Sequence, residues 1–168
     1  MSTQASGRRR RDERGSFTFF AIMWSFVIVL LAALAIDGGL AISQRERAAD
    51  LADQAARTEA ENLSQPDLRG TGQVEINPDG CALASSYISD AAASVHYGTA
   101  SLDHGFGDGG SGCAYSTVQV PGAGGAGLVE SSSVTVEVEL TYSPFVFDIF
   151  GGKITVVEQG TAFAQAGD

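Results

Sequence analysis

Cys81 and Cys113 are the two cysteines of this 168-residue chain, and they are its clearest candidates for covalent chemistry. The 31 residues between them contain no C-x-x-C pattern, and the chain has only two histidines, so the usual ligand spacing of a tetrahedral metal site is absent. In an oxidising compartment, two cysteines in a small domain are typical of a disulfide, which stabilises a loop of this size by about 3–4 kcal/mol. We predict a Cys81–Cys113 disulfide, with a metal site or a redox-active thiol pair as alternatives.

A glycine-rich segment from Asp103 to Gly112 contains the other candidate ligands, Asp103, His104 and Asp108. Carboxylates and an imidazole among glycines can hold calcium or another divalent ion, but glycine–aspartate calcium repeats need stacked copies and this chain has one. We predict a flexible surface loop, with metal binding as the alternative. No serine lies in a nucleophile elbow, so we predict no catalytic, cofactor-binding or metal residues and no small-molecule substrate.

Residues 16–36 contain no formally charged side chain, and five arginines lie within residues 8–14 just before them. About 20 apolar residues in a helix cross a hydrocarbon core of about 30 Å. The positive-inside rule keeps such an arginine-rich N-terminus in the cytoplasm, which places the chain from Asp37 onward outside. A cleavable signal peptide is the alternative, although its apolar region is usually shorter, roughly 7–15 residues.

The part of the chain after Ile36 is strongly acidic. It contains 18 Asp and Glu (20 minus Asp12 and Glu13) and five Lys and Arg (10 minus the five N-terminal arginines), for a net charge of −13. Such a surface repels nucleic acid, so we predict no nucleic-acid partner.

Helical periodicity continues beyond the apolar segment. Charged residues at positions 46, 50, 53, 57 and 61 fall on one side of a helix, and the opposite stripe consists of Ala48, Leu51, Ala52, Ala55 and Leu63. Small alanine side chains allow close packing against a second helix or a thin sheet. Gly38 and Gly39 are a candidate hinge at the membrane surface.

Strand patterns dominate the last third of the chain. Residues Val134–Tyr142 alternate apolar and polar side chains, and we predict that they pair with Ile154–Ala164. Tyr115–Val120 is a candidate third strand and Gln73–Ile76 a short additional one, while Ala82–Tyr97 allows a helix. The connector between the two main strands is either a cap over the sheet or an exposed contact patch for the membrane or another subunit. Its apolar residues are Phe145, Phe147, Ile149 and Phe150.

These patterns predict an α+β fold in which a long N-terminal transmembrane helix continues into an exported alanine-rich helix packed on a small antiparallel β-sheet, as in pilins. The predicted segments are a cytoplasmic basic segment (1–15), a transmembrane helix (16–36), an exported stalk helix (37–65) and an exported α+β head (66–168).

Several of these features together resemble the TadE/TadG-like family of pilus-assembly proteins. They are the arginine-rich start, the apolar helix, Ala35-Ile36-Asp37-Gly38-Gly39, the alanine-rich residues 47–56, and the final strand, connector and strand. The resemblance covers Arg8–Leu63 and Val134–Ala164, and the actinobacterial members look closest. It implies a role in a tight-adherence (Tad/Flp) pilus, a system related to type IV pili and type II secretion, with pseudopilins as relatives.

Pilin-like members of that family have a glycine before the helix and a glutamate five residues into it, which serve processing and assembly. The resemblance therefore implies a possible processing site between Gly15 and Ser16. Phe20 occupies the glutamate position and the apolar helix contains no acid, which fits a retained membrane protein, as TadG-like members are.

We therefore predict a non-enzymatic, single-pass protein of the cell membrane, with a cytoplasmic N-terminus and an extracellular C-terminal domain, acting as a minor pilin or assembly component. Its partners would be the lipid bilayer and other pilus subunits, contacted through the membrane and stalk helices. Candidate packing residues are Ala32, Ala33, Ala35, Ala48, Ala52 and Ala55. A membrane-tethered binding module unrelated to pili and a metal-dependent exported enzyme are the alternative functions.

Overall fold

A single long helix organises the computed structural model, which describes residues 14–70, 75–92, 98–121, 128–148 and 151–164. This helix, α1, spans Arg14–Ala60 without interruption, and its 47 residues extend about 70 Å. It runs straight through Gly38 and Gly39, so the candidate hinge lies inside a continuous helix. Two shorter helices follow, α2 (Gln65–Gly70) and α3 (Ala82–Ala92).

The two halves of α1 have different surroundings. Its first half exposes large apolar side chains almost all round, whereas its second half buries Ala48, Leu51, Ala52 and Ala55. The charged side chains at positions 46, 50, 53, 57 and 61 are all exposed. The amphipathic pattern of the stalk is therefore confirmed, and its alanine stripe packs on the protein's own sheet.

The sheet is antiparallel and is built around its longest strand. It contains β1 (Gly98–Leu102), β2 (Cys113–Pro121), β3 (Leu128–Tyr142) and β4 (Ile154–Phe163), with a one-turn helix α4 (Phe145–Asp148) between β3 and β4. The predicted pairing of the last two strands is confirmed, because Tyr142 pairs with Ile154 and Ser133 with Phe163. The predicted α+β fold with a small antiparallel sheet is thus correct.

The other edge of β3 is covered by β1 and β2 lying end to end. β1 pairs with β3 up to Leu102↔Val138, and β2 resumes the pairing at Cys113↔Val136. Between them, the backbone of Glu137 accepts a hydrogen bond from Asp103 N–H and donates one to Gly112 O. Residues 103–112 are therefore an excursion from an edge that is otherwise nearly continuous.

That excursion has a defined turn structure. The Asp103 carboxylate accepts a 2.7 Å hydrogen bond from the amide of Gly105, which lowers the pKa of that carboxyl group. Gly107 has a positive φ and lies so close to the Cys113 backbone that a side chain has no room there. Gly107 thus allows the loop to return closely to β2.

Some elements differ from the sequence-based prediction. β1 was not predicted, because Gly-Thr-Ala-Ser-Leu lacks the strong alternation of β3 and pairs only at the sheet edge. β3 begins at Leu128, six residues before the predicted start. Ile76 forms an isolated bridge with Leu63, α3 ends at Ala92, and residues 73–74 and 93–97 of the predicted elements lie outside the described residues.

The core lies between the sheet and the helices α1 and α3. Alternate residues of β3 are buried, and they face the alanine stripe. At the closest point, a methyl group added at Gly160 of β4 would lie within 3.0 Å of the Ala52 and Asp53 backbone. The buried apolar set comprises Ala48, Leu51, Ala52, Ala55, Ala56, Ala60, Ile76, Cys81, Ala84, Ile88, Leu102, Cys113, Val134, Val136, Val138, Leu140, Tyr142, Ala162 and Ala164.

This close approach predicts that Gly160→Ala destabilises the protein. Overpacking a site bounded by backbone atoms costs about 1–3 kcal/mol, because neither backbone can move without disturbing its helix or strand. The measurement is amide hydrogen exchange of β3 in the detergent-solubilised full chain, which reports the free energy of opening. Gly38→Ala is the matched control, since nothing lies within 4 Å of the added methyl group. Equal exchange in both variants would contradict the packing described here.

Candidate functional site

The most unusual surface of the protein is the first half of α1. Its most apolar stretch is not buried inside the protein at all. Large apolar surfaces of this kind are rare on proteins in water, and this helix is long and apolar enough to cross a membrane. Exposed large side chains are Phe17, Phe19, Phe20, Ile22, Met23, Trp24, Phe26, Val27, Ile28, Val29, Leu30, Leu31, Leu34 and Ile36.

The sequence-predicted residues of α1 fall into three environments. Gly15 and Ser16 lie in the first turn of the helix. Ala32 and Ala35 are exposed within the apolar half, and Ala33 is half-buried. The remaining candidates, Ala48, Ala52 and Ala55, are fully buried within the chain, so their packing partner in this structure is the sheet.

Asp37 joins the end of the apolar half to the connector between β3 and β4. Its side chain is only 5% exposed, and its two carboxylate oxygens accept 2.8 Å hydrogen bonds from the amides of Phe145 and Val146. These amides belong to the first turn of α4, where helical N–H groups have no partner within the helix. A carboxylate 108 residues earlier in the chain thus caps this turn.

Tyr142 is buried close to this junction, and Gln44 is buried about two helical turns further along α1. Tyr142 is 3% exposed, and burial, followed by the negative charge of Asp37, raises the pKa of its hydroxyl group. Within the described part of the chain, neither the Tyr142 hydroxyl nor Gln44 Oε1 has a hydrogen-bond partner. The junction is therefore a polar site inside an otherwise apolar helix–sheet contact.

The predicted contact patch is only partly described. Phe145 is 65% exposed, although the adjoining Pro144 is fully buried. Phe147 lies in α4, and Ile149 and Phe150 lie outside the described residues. The start of the connector is consequently held in place by the buried Pro144 and by Asp37, and the Phe145 ring is exposed.

Glu59 is a second buried carboxylate of α1 and has no exposed surface. Its Oε2 accepts a 3.0 Å hydrogen bond from the amide of Ala84 in the first turn of α3, and its Oε1 accepts one from the Tyr115 hydroxyl at 3.2 Å. Asn62 also donates to Oε1. Glu59 therefore neutralises the start of α3 and connects it to β2.

The predicted disulfide is present beside this carboxylate. Cys81 and Cys113 are both fully buried, and their bond links the start of α3 to the start of β2. The amide of Cys81 donates to the Tyr115 hydroxyl at 3.2 Å. Burial, and then the charge of Glu59, raises the pKa of Tyr115 far above its ordinary value. Cross-link, tyrosine and carboxylate thus form one connected group.

Metal chemistry has no evident site in the residues that the structure describes. No group of three or more His, Cys, Asp and Glu side chains among them is placed to hold a metal ion. Asp103 uses its carboxylate to form the turn at Gly105, and His96 lies outside the described residues.

The sequence-based prediction did not identify Asp37 and Glu59 as structural residues. A signal for Glu59 was present, because it follows Ala52 by seven residues and Ala55 by four, which places it on the buried alanine stripe. Asp37 was recognised only as the end of the apolar segment. Its partners are backbone amides more than 100 residues away, which no local pattern reveals.

The network around Glu59 predicts a large effect of Glu59→Leu. This change leaves the buried Ala84 amide and the Tyr115 hydroxyl without their acceptor, at a cost on the order of 3 kcal/mol. Hydrogen exchange of α3 and β3 measures the loss, and Glu59→Gln, which keeps one acceptor oxygen, should lose less. Glu61→Leu is the matched control, because Glu61 is exposed and should change stability by less than about 0.5 kcal/mol. Similar losses at both positions would contradict this role.

The raised pKa of Tyr115 predicts a loss of stability in alkali. Above pH 10.0, the ordinary pKa of tyrosine, the unfolded chain releases the proton that the folded chain retains, so the free energy of unfolding falls as pH rises. Below that pH the contribution is fully present. Thermal unfolding between neutral pH and about pH 11 should show this decline, and Tyr115→Phe should show a shallower one because the contribution of Tyr115 is then removed. An equal slope in both proteins would contradict the assignment.

Comparison with known proteins identifies one similarity. Residues 15–58 match a family model described as "Putative Flp pilus-assembly TadE/G-like". No curated protein matches the chain, and no solved structure matches it. The matched segment is 44 of the 168 residues and lies entirely within α1, from its first turn to the residue before Glu59. The match does not extend to Val134–Ala164, where the resemblance stays a prediction, as does the actinobacterial type. The resemblance to the TadE/G-like Flp pilus-assembly family is therefore confirmed over residues 15–58, the segment that forms the long N-terminal helix.

Proposed function

We propose that this protein is a membrane-anchored component of a Tad/Flp-type pilus or of a related secretion system, acting as an assembly protein or minor pilin. The observation that carries this proposal is the coincidence of the family match with α1. The matched helix has an apolar half with no protein cover and a second half packed on the sheet. This division suits a helix that is held in a bilayer at one end and carries a folded domain at the other.

The proposed topology is a single pass through the cell membrane with the N-terminus in the cytoplasm. The five arginines before Ser16 favour that orientation, and the disulfide suits a domain in an oxidising compartment. Partners would be other pilus subunits, contacted laterally through the exposed apolar helix, where Ala32 and Ala35 allow close approach. This role requires no catalysis, and we propose that the protein is not an enzyme.

Deletion of the gene in its source organism tests the pilus function. We expect surface Flp-type pili to be lost or strongly reduced and to return when the wild-type gene is restored. A complementing gene that encodes Phe26→Arg should fail, because a charge at the centre of a bilayer-spanning helix costs about 2.5–3.5 kcal/mol. Asp53→Arg, an exposed substitution on the other half of α1, should complement normally. Normal pili in the deletion strain would overturn the proposal and favour a tethered binding module.

Peptide mapping tests whether the chain is retained uncut at Gly15. Trypsin cleaves after Arg14, so an unprocessed protein extracted from membranes yields a peptide that begins with Gly15. Processing of the pilin type would instead yield a peptide that begins with Ser16. Because Phe20 replaces the acid that pilin-like members have at this place, we expect the Gly15 peptide. A Ser16 peptide would assign the protein to the filament rather than to the membrane-retained machinery.

A further inference from the structure

The connector between β3 and β4 lies at the point of the protein where the apolar half of α1 ends. Asp37 is the first charged residue after the uncharged segment of residues 16–36, and its carboxylate holds the amides of Phe145 and Val146 at 2.8 Å. The Asp37 side chain is buried by this contact, whereas the Phe145 ring is 65% exposed. The connector is thus held at the position of Asp37 along the axis of α1.

The rise per residue of an α-helix gives the depth at which Asp37 would lie in a bilayer. Residues 17–36 rise about 30 Å, which equals the thickness of the hydrocarbon core, so Asp37 falls at its boundary. The polar headgroup layer beyond it is about 5–8 Å thick on each side. A phenylalanine ring lies about one side-chain length from its own backbone amide. Phe145 is therefore within reach of this layer.

Neighbouring residues have the chemistry of a membrane interface. Ile42, five residues beyond Asp37 on α1, is 64% exposed, so apolar surface continues past the end of the uncharged segment. Lys153 is the only lysine of the chain, and it is exposed directly before Ile154, which pairs with Tyr142 at the same end of the sheet. Phenylalanine side chains of interfacial segments lie at the boundary between headgroups and acyl chains, and lysines with apolar stems place their ammonium group among the headgroups.

We propose that the β3–β4 connector is a second membrane contact, in which Phe145 enters the headgroup layer and Lys153 faces lipid phosphates, with Asp37 setting the depth. The folded domain is then held against the bilayer surface at two places, the helix and the connector. This inference rests on the membrane anchoring proposed above, and the experiment below separates the two.

Tryptophan quenching by spin-labelled lipids measures the depth directly. Trp24 is the only tryptophan of the chain and lies in the apolar half of α1, so the wild-type protein reports the anchor itself. A Trp24→Phe, Phe145→Trp variant reports the connector. In a Trp24→Phe, Phe163→Trp control, the indole lies at the opposite end of β4 from the connector. It is about 30 Å from Ile154, because Phe163 lies nine residues beyond Ile154. Each full-length protein is reconstituted into phosphatidylcholine vesicles that contain a quencher either near the headgroup or deep in the acyl chain.

The expected pattern differs among the three proteins. Trp24 should be quenched more by the deep label, the Phe145→Trp protein more by the shallow label, and the Phe163→Trp protein by neither. Absence of quenching in the Phe145→Trp protein, with Trp24 still quenched, would overturn the connector contact and leave the anchor intact. A blue-shifted but unquenched indole would also overturn it, because it would indicate cover by a second protein chain. Failure of both labels to quench Trp24 would overturn the anchor and the connector contact together.

The role of Asp37 is tested in the Phe145→Trp background. Asp37→Ala removes both hydrogen bonds to the connector, and we expect the preference for the shallow label to be lost. Asp50→Ala, at an exposed aspartate of the same helix, should retain it. Intact disulfide and unchanged circular dichroism show that the variants are folded. Unchanged quenching after Asp37→Ala would overturn the assignment of Asp37 as the residue that sets the depth.

Discussion

The close contact between the alanine stripe of α1 and the sheet is the constraint on which the rest of the structure depends. Because the side chains of the stripe are small, the helix backbone lies near to β4. Gly160 packs directly on the backbone of Ala52, where a side chain would have no room. The arrangement keeps the folded domain thin and places its central strand, β3, directly against the helix. The same contact does little to fix the position of the sheet along the helix axis, because the small alanine side chains are nearly interchangeable in it.

Two buried carboxylates fix the position of the sheet along α1. Asp37 and Glu59 are 22 residues apart on α1, about 33 Å, and each caps the first turn of a different short helix. Asp37 holds the connector after β3, and Glu59 holds the start of α3 next to the disulfide. A shift of the sheet by one residue along α1 would separate both buried carboxylates from the backbone amides that donate to them, which is far more costly than an exchange of one alanine for another. The apolar contact therefore provides proximity, and the acids provide the axial register.

This register has a consequence for a helix whose two halves have different surroundings. The family match runs from Gly15 to Thr58 of α1, across both its exposed apolar half and the half that packs on the sheet. Because Asp37 stands at the transition between them, the same residue ends the apolar segment and fastens the sheet connector there. One continuous helix thus sets the position of the folded domain relative to the apolar half.

Much of this organisation is determined by sequence periodicity alone. A run of 21 uncharged, mostly apolar residues predicts a helix long enough to cross a membrane, the repeat of alanines predicts the buried face of the stalk, and strict alternation from Val134 to Tyr142 predicts the central strand. Two cysteines in a small domain were sufficient to predict the cross-link, which the structure contains. Only the tertiary structure decided the partners of Asp37 and Glu59, the edge pairing of β1 and the fit at Gly160. The physical reason is that local periodicity specifies which face of an element is apolar, whereas buried charges find backbone donors that the chain brings together only after distant segments have packed.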